Sequence, residues 1–208
     1  MTDQIALPLA WSADARDGEF VVGPSNAAAV RMLDRWAAWP VRTALLAGPP
    51  QSGRSLLGRI FAARSHGVVI DDADAEPEEA LFHAWNRAQD ERRPLLLIVR
   101  DLPPVWQVAL PDLRSRLAAS PAATIGPPDD ALIRALFEHG FARRHVDARA
   151  DLIAWLSARV ERSHRSVMET IDRLDRAALA GRRRLSIPLA RETLTDAAAF
   201  IDRSDETT

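Results

Sequence analysis

The stretch TALLAGPPQSGRS, residues 43–55, passes from a short apolar run into a glycine-bearing loop. Its second part, GPPQSGRS at 48–55, has the spacing of a phosphate-binding P-loop. Gly48 and Gly53 would let the backbone curl until successive N–H groups point at phosphate oxygens, and the N-terminus of a following helix would add a partial positive charge. An apolar strand, this loop and then a helix therefore predict a nucleotide site.

An arginine, Arg54, stands where such a loop normally carries a lysine. Its guanidinium keeps the positive charge but is larger and planar, so we expect it to hold a β-phosphate adequately and to fit a γ-phosphoryl transition state less well. The alternative is an ordinary strand-to-helix turn that carries two glycines by chance. The predicted nucleotide-binding residues of this segment are Gly48, Pro49, Pro50, Gln51, Ser52, Gly53, Arg54, Ser55 and Leu56.

Two acids follow a second apolar run in the segment GVVIDDAD at 67–74. Asp71 and Asp72 stand where a Walker B strand delivers a carboxylate that holds Mg²⁺ beside the P-loop. We predict that Asp71 and the hydroxyl of Ser55 are the metal ligands. Acids after a strand are also common helix caps, so this pattern becomes specific only in combination with the loop.

The composition excludes several classes of protein. The chain has 208 residues, a formal net charge of −2 and no cysteine. A disulfide scaffold and a cysteine-ligated metal site are therefore excluded, and no overall basic field would hold the chain on nucleic acid. The first residues do not read as a signal peptide, and the longest apolar stretches are too short to span a bilayer. We expect a cytoplasmic protein that does not bind membranes.

The pattern along the chain predicts an α/β unit followed by an all-helical unit. A first helix is predicted from a cap at Ser25 through Trp39, with Val30, Leu33 and Ala37 on one stripe. Further strands are predicted at 94–101 and 122–126, and four helical segments near 129–139, 147–160, 164–180 and 188–202. We predict three parts: a flexible peptide and linker at 1–22, an α/β nucleotide-binding domain at 23–127 and a helical lid at 128–208.

Two segments after the third strand resemble motifs of AAA+ ATPases. RDLPP at 100–104 is similar to a sensor 1 region, with Asp101 at the polar position. LPDLRSRL at 110–117 is similar to box VII, and the residue that matches its arginine finger is Arg116. The alternative for Arg116 is a solvated helix face that it shares with Arg114.

The helical part carries the rest of the resemblance. SHRSVMETIDRLDRAAL at 163–179 is similar to a sensor 2 helix, with Arg165 aimed back at the nucleotide, and RRLSIPLARETL at 183–194 is similar to the end of a DnaA-type lid. Together these motifs resemble the Hda family of DnaA-related AAA+ proteins, which are regulatory inactivators of DnaA, and the alphaproteobacterial forms most closely. Arginine in the phosphate loop also recurs in that family.

The resemblance implies a specific activity. It implies an AAA+ protein bound to ADP (or ATP) with Mg²⁺, which offers Arg116 in trans to ATP held by DnaA and suppresses initiation of replication. Intrinsic ATPase activity would be weak. DNA would be reached only through the sliding clamp, and a helix-turn-helix domain of the kind that DnaA carries is not expected.

The chain departs from the AAA+ pattern at one place. The segment between the P-loop helix and the second strand is too short for the additional strand and helix of a standard AAA+ sheet. We therefore expect a short parallel sheet of four strands that lacks one edge strand. A partner surface on that edge would be affected, whereas the nucleotide site would not.

The segment QIALPL at 4–9 resembles a peptide that binds the DNA polymerase III sliding clamp. Gln4 would hydrogen-bond at the rim of the clamp pocket, and Leu7 and Leu9 would fill its apolar subsites. Pro8 keeps the segment extended and lowers the entropy lost on binding. The alternative is a tail that packs on its own domain.

Two other functions stay open. One is an autonomous AAA+ ATPase such as a helicase loader, which would show strong intrinsic turnover. The other is a clamp-binding adaptor with a structural nucleotide, which would not depend on Arg116. The residues leave homo-oligomer formation open.

Overall fold

The computed structural model describes residues 20–194. The predicted clamp-binding residues Gln4, Leu7 and Leu9 therefore lie outside the described residues. The helices are α1 (Ala27–Asp34), α2 (Arg54–Ser65), α3 (Glu78–Asp90), α4 (Pro111–Ala118), α5 (Asp130–Ala142), α6 (Ala150–Ser157), α7 (His164–Gly181) and α8 (Ile187–Leu194). The strands are β1 (Thr43–Ala47), β2 (Val68–Ile70), β3 (Leu95–Val99) and β4 (Ala122–Thr124).

The four strands form one parallel sheet in the order β2-β3-β1-β4. β1 and β3 are the central pair, in a register that aligns Thr43 with Leu95 and Ala47 with Val99. Every residue of both strands is buried, as expected for parallel strands that are covered on both faces. The predicted α/β class and the predicted sheet of four strands are confirmed.

Alternate residues of the central strands divide between two apolar clusters, because side chains along a strand point to opposite faces. On one face, Leu46 and Ile98 pack with residues of α1 and α2. On the other face, Leu45 and Leu97 pack with residues of α3 and α4. The sheet is thus the middle layer of three, and the carboxyl ends of its strands are held in fixed positions.

Helices α5 to α8 share a third apolar cluster of their own. Phe137 and Phe141 of α5 stack with ring centroids 6.1 Å apart, and Ile171 of α7 packs against the α-carbon of Gly140. A predicted all-helical unit after the sheet is confirmed. Between residues 20 and 194, no helix has the length and apolar character needed to cross a membrane.

The first helix is shorter than predicted. α1 ends at Asp34, and a separate 3-10 turn covers Trp36–Ala38. Ala37 is exposed and not on a buried stripe. The chain turns because Trp39 folds back: its Nε1 donates to the Met32 carbonyl at 2.9 Å, and its ring stacks on Phe61 at 5.5 Å.

The start of α1 is also one residue later than the predicted cap. The N-cap residue is Asn26 and not Ser25. The Asn26 carboxamide accepts from the N–H of Gly23 and donates to the carbonyl of Val21, so it orders the segment that leads into the helix.

The central sheet should dominate stability. We expect Leu97→Ala, at a side chain that is 0% exposed, to lower the free energy of unfolding by about 2–5 kcal/mol, because the substitution leaves a cavity in the core. Leu179→Ala is the matched control, since Leu179 is 70% exposed and its loss should change stability by less than about 0.5 kcal/mol. Urea denaturation of both variants measures this, and equal effects would contradict the three-layer core.

Candidate nucleotide site

The loop 48–53 connects β1 to α2, and its two glycines are required for different reasons. Gly53 precedes α2 with φ of +84°, a left-handed conformation that side-chain-bearing residues rarely adopt. A β-carbon there would also lie 2.8 Å from the ring of Phe20. At Gly48 a β-carbon would lie 2.9 Å from the hydroxyl of Ser52. The predicted strand, glycine loop and helix are therefore present.

A cleft of about 580 Å³ opens beside this loop, a size suited to a nucleotide-sized ligand. Its walls come from three parts of the chain: the segment before α1, the glycine loop with the first turns of α2, and helices α5 and α7. The lining residues are Phe20, Val21, Asn26, Pro50, Gln51, Ser52, Gly53, Arg54, Ser55, Leu56, Arg59, Leu132, Leu136, His139, Arg143, His164, Met168 and Asp172. Of the nine predicted loop residues, Gly48 and Pro49 are not part of the lining.

Arg54 is the most connected residue of the site. Its Nη1 donates to the carbonyl of Gly48 at 2.7 Å and to that of Val99 at 3.1 Å. Its Nη2 donates to Oδ1 of Asp72 at 2.9 Å. Gly48 follows β1, Val99 ends β3, and Asp72 follows β2. One guanidinium thus joins the carboxyl ends of three adjacent strands, a geometry for which its planar fork is suited and a point-like ammonium is not.

The predicted metal ligands supply the oxygen donors that Mg²⁺ prefers. Ser55 lines the cleft. Asp71 is exposed, and its Oδ1 accepts from the backbone N–H of Asp72 at 3.0 Å. Within residues 20–194 no group of three or more acids and histidines could hold a metal ion alone. Mg²⁺ would therefore need phosphate oxygens as further ligands, as is usual for this ion at nucleotide sites.

Asp101, the predicted sensor 1 residue, is exposed just after β3 and is not among the residues that line the cleft.

Arg116 lies on α4, outside the cleft. Its guanidinium is placed over two rings of α3, 4.6 Å from the centroid of Phe82 and 4.9 Å from that of Trp85. Its Nε is buried with no hydrogen-bond partner among the described residues. Arg114, on the same helix, is exposed. Arg116 is thus not part of a fully solvated face, and cation–π attraction holds it against α3.

Helix α7 presents a different residue to the cleft from the one predicted. His164, Met168 and Asp172 line it, and their spacing of four residues places them on one helix face. Arg165 is exposed on the next face, where its Nε pairs with Glu169 at 3.4 Å. The four-residue spacing was the signal in the sequence that could have identified His164, but nothing in the sequence indicates how the helix is rotated about its axis.

His164 is 4% exposed, and neither of its ring nitrogens has a hydrogen-bond partner among the described residues. Burial lowers the pKa of the imidazole below its ordinary value, since a low-dielectric surrounding disfavours the charged form. The side chain is therefore neutral at pH 7. The neighbouring N-cap, Ser163, fixes the start of α7 by accepting from the N–H of Ser166 at 3.0 Å.

The part of the chain that contributes α5 and α7 to the cleft matches a known family model. Residues 129–194 match the model described as Hda, lid domain. The fold is similar to that of domain III of the Thermotoga maritima replication initiation protein DnaA, with a TM-score of 0.73 at 16% sequence identity over 85% of this chain and 94% of that one. The chain thus combines a segment that matches an Hda lid with a fold similar to that of DnaA domain III.

Two other solved structures have a similar fold. AMPPCP-bound DnaA from Aquifex aeolicus has a TM-score of 0.62 at 14% identity, over 78% of this chain and 65% of that one. A variant of RuvB from Thermotoga maritima has a TM-score of 0.64 at 15% identity, over 84% and 69% of the two chains. At these identities the similarity concerns the fold.

The contacts of Arg54 predict how much this side chain contributes to the free energy of unfolding. Arg54→Ala should lower the free energy of unfolding of the nucleotide-free protein by about 1–3 kcal/mol, because the carbonyls of Gly48 and Val99 lose a charged donor. Asp72→Asn should cost less than about 1 kcal/mol, since the Asp72 side chain is 69% exposed and exposed ion pairs contribute little. Urea denaturation separates the two, and a larger loss for Asp72→Asn would contradict this assignment.

Proposed function

We propose that this protein is a negative regulator of replication initiation that acts with bound ADP. It would bind the sliding clamp and stimulate hydrolysis of ATP held by DnaA. The observation that carries the proposal is the Hda-lid match at residues 129–194, because helices α5 and α7 of that same segment line the cleft beside the glycine loop. A lid of this family thus faces a phosphate-binding loop across a nucleotide-sized space.

The contacts of Arg54 support weak intrinsic turnover. A second Walker B acid is the position from which many ATPases orient the attacking water. Here that position is Asp72, and its carboxylate is paired with Arg54. A carboxylate neutralised by a guanidinium is a poor water activator. Phosphate binding would rely on the loop N–H groups and the N-terminus of α2, with Ser55 and Asp71 as the protein ligands of Mg²⁺.

The position of Arg116 supports action on a neighbouring nucleotide. Arg116 lies on α4 and does not line the cleft of its own chain, so its guanidinium is separated from any nucleotide bound there. To reach a γ-phosphate on DnaA it would leave the rings of Phe82 and Trp85, at a cost of about 0.5–2 kcal/mol. The rings of Phe82 and Trp85 would keep the Arg116 side chain ordered until a surface of the partner protein replaces them.

The clamp is proposed as the route to DNA. The segment at 4–9 would bind the clamp as an extended peptide, and contact with DNA would be indirect. Association of the chain with itself is left to measurement.

A clamp-binding adaptor without an arginine finger is the second candidate. The observation that favours it is the packing of Arg116 between its own chain's helices, with the guanidinium 4.6 Å from the Phe82 ring. An autonomous ATPase has less support, since Asp72 is engaged by Arg54.

The clamp proposal is tested on the N-terminal peptide. Replacing Gln4, Leu7 and Leu9 together by alanine should abolish binding to immobilised sliding clamp, because the rim hydrogen bond and both apolar anchors are removed. On this proposal the melting temperature should stay within about 1 °C, since a peptide used to bind the clamp would contribute little to the stability of the domain. A large fall in melting temperature would favour a tail packed on its own domain, and binding that survives would place the clamp contact elsewhere.

The whole proposal is tested on Arg116. In a reconstituted reaction with clamp, DNA and ATP-loaded DnaA, Arg116→Ala should reduce stimulated hydrolysis by about 10³-fold or more, the usual effect of removing an arginine finger. Arg114→Ala is the matched control, because it removes an exposed arginine from the same helix and should retain activity. ADP binding and clamp binding by both variants should equal wild type.

Two results would contradict the proposed action of Arg116 in trans. If Arg116→Ala stimulates normally, the adaptor is the better description. If the variant loses its own nucleotide, Arg116 acts within its own chain and the mechanism in trans is wrong.

A further inference from the structure

One polar side chain in the cleft has no role in the proposed function. His164 lines the cleft, is 4% exposed, and forms no hydrogen bond to the described residues through either nitrogen. Buried polar groups in folded proteins are almost always hydrogen-bonded, because burial without a partner is unfavourable. A side chain of this kind in a ligand-sized cleft is therefore one whose partner is the ligand.

The chemistry of the imidazole indicates which part of a nucleotide it contacts. A neutral imidazole has one donor nitrogen and one acceptor nitrogen. Phosphate oxygens at neutral pH only accept, so phosphates would leave the acceptor nitrogen without a partner. A purine edge has an amino donor beside ring-nitrogen acceptors, and ribose hydroxyls both donate and accept. The nucleoside part of a nucleotide therefore satisfies both nitrogens of His164.

Apolar and polar side chains reach the cleft from different parts of the chain. Leu132, Leu136 and Met168 form an apolar wall from α5 and α7, on the lid side where His164 lies. The glycine loop and the start of α2 contribute Arg54 and Ser55 to the same lining. A flat base fits these apolar side chains, and phosphates fit the N-terminus of α2 beside the loop.

We infer that His164 hydrogen-bonds the base edge of the bound adenine nucleotide and selects that base. This inference rests on the proposed binding of ADP and names the group that recognises it. The neutral state of the buried ring, whose pKa is lowered by desolvation, is consistent with a neutral partner. The contact also connects the first turn of α7 to the ligand. The lid would then contact the base, while the loop binds the phosphates.

The test compares wild type with His164→Phe, which keeps the ring shape and removes both nitrogens. Calorimetry should show that the variant binds ADP about three- to tenfold more weakly, the effect of losing a neutral hydrogen bond, and that it binds inorganic pyrophosphate with unchanged affinity. The preference of wild type for ADP over UDP should fall in the variant. The melting temperature without nucleotide should be equal or higher, because an apolar ring replaces an unsatisfied polar one.

A second measurement does not depend on a variant. In wild-type protein, the ¹⁵N resonances of the His164 ring should shift on addition of ADP and stay unchanged on addition of pyrophosphate. This readout applies even if His164→Phe fails to fold.

The outcomes separate this inference from the proposed function. If wild type binds ADP and His164→Phe binds it equally well, or loses ADP and pyrophosphate equally, base recognition by His164 is wrong while nucleotide binding stands. Ring resonances that respond equally to ADP and pyrophosphate overturn it as well. If wild type binds neither ligand, the proposed ADP-bound regulator itself is wrong.

Discussion

The guanidinium of Arg54 joins three neighbouring strands where they end, and the arrangement of the site depends on this contact. It bonds the carbonyls of Gly48 and Val99 and the carboxylate of Asp72. Lysine in its place would bring a compact ammonium with a different geometry of donors. Arginine at position 54 therefore holds the ends of three strands together beside the cleft. It also pairs with Asp72, the acid from which an ATPase would orient water.

The cleft and Arg116 are separated on the molecule. The cleft lies between the glycine loop and helices α5 and α7. Arg116 lies on α4, held over the rings of α3. Because each group is fixed by a different set of helices, one can be changed without disturbing the other. This separation suits a protein whose own nucleotide is structural and whose arginine is offered to a partner.

The sequence was sufficient for the elements whose burial pattern is uniform. β1 and β3 are continuous apolar runs buried along their full length, and the glycine loop between β1 and α2 is defined by local conformation. The end of α1 could not be predicted, because it depends on Trp39 returning to Met32 and Phe61. Trp39 lies beyond the 3-10 turn and Phe61 belongs to α2, so periodicity along α1 does not reveal the contact.

The predicted site residues divide in the same way, into those positioned by one local segment and those positioned by tertiary packing. Those of the loop were predicted from spacing, since the backbone of one short segment positions them. The residues of α7 were not, because the rotation of a helix about its axis is set by the core it packs on. A difference of one position along α7 exchanges exposed Arg165 for buried His164. Likewise, the rings around Arg116 come from a helix far away in the chain.

Both outer strands of the sheet are only three residues long, Val68–Ile70 at one side and Ala122–Thr124 at the other. An edge strand exposes unpaired backbone groups on which another chain can add a strand, and short edges limit this hazard. Within residues 20–194 the four-stranded sheet therefore has no long exposed edge. Either edge offers another chain only a short stretch of backbone with which to pair.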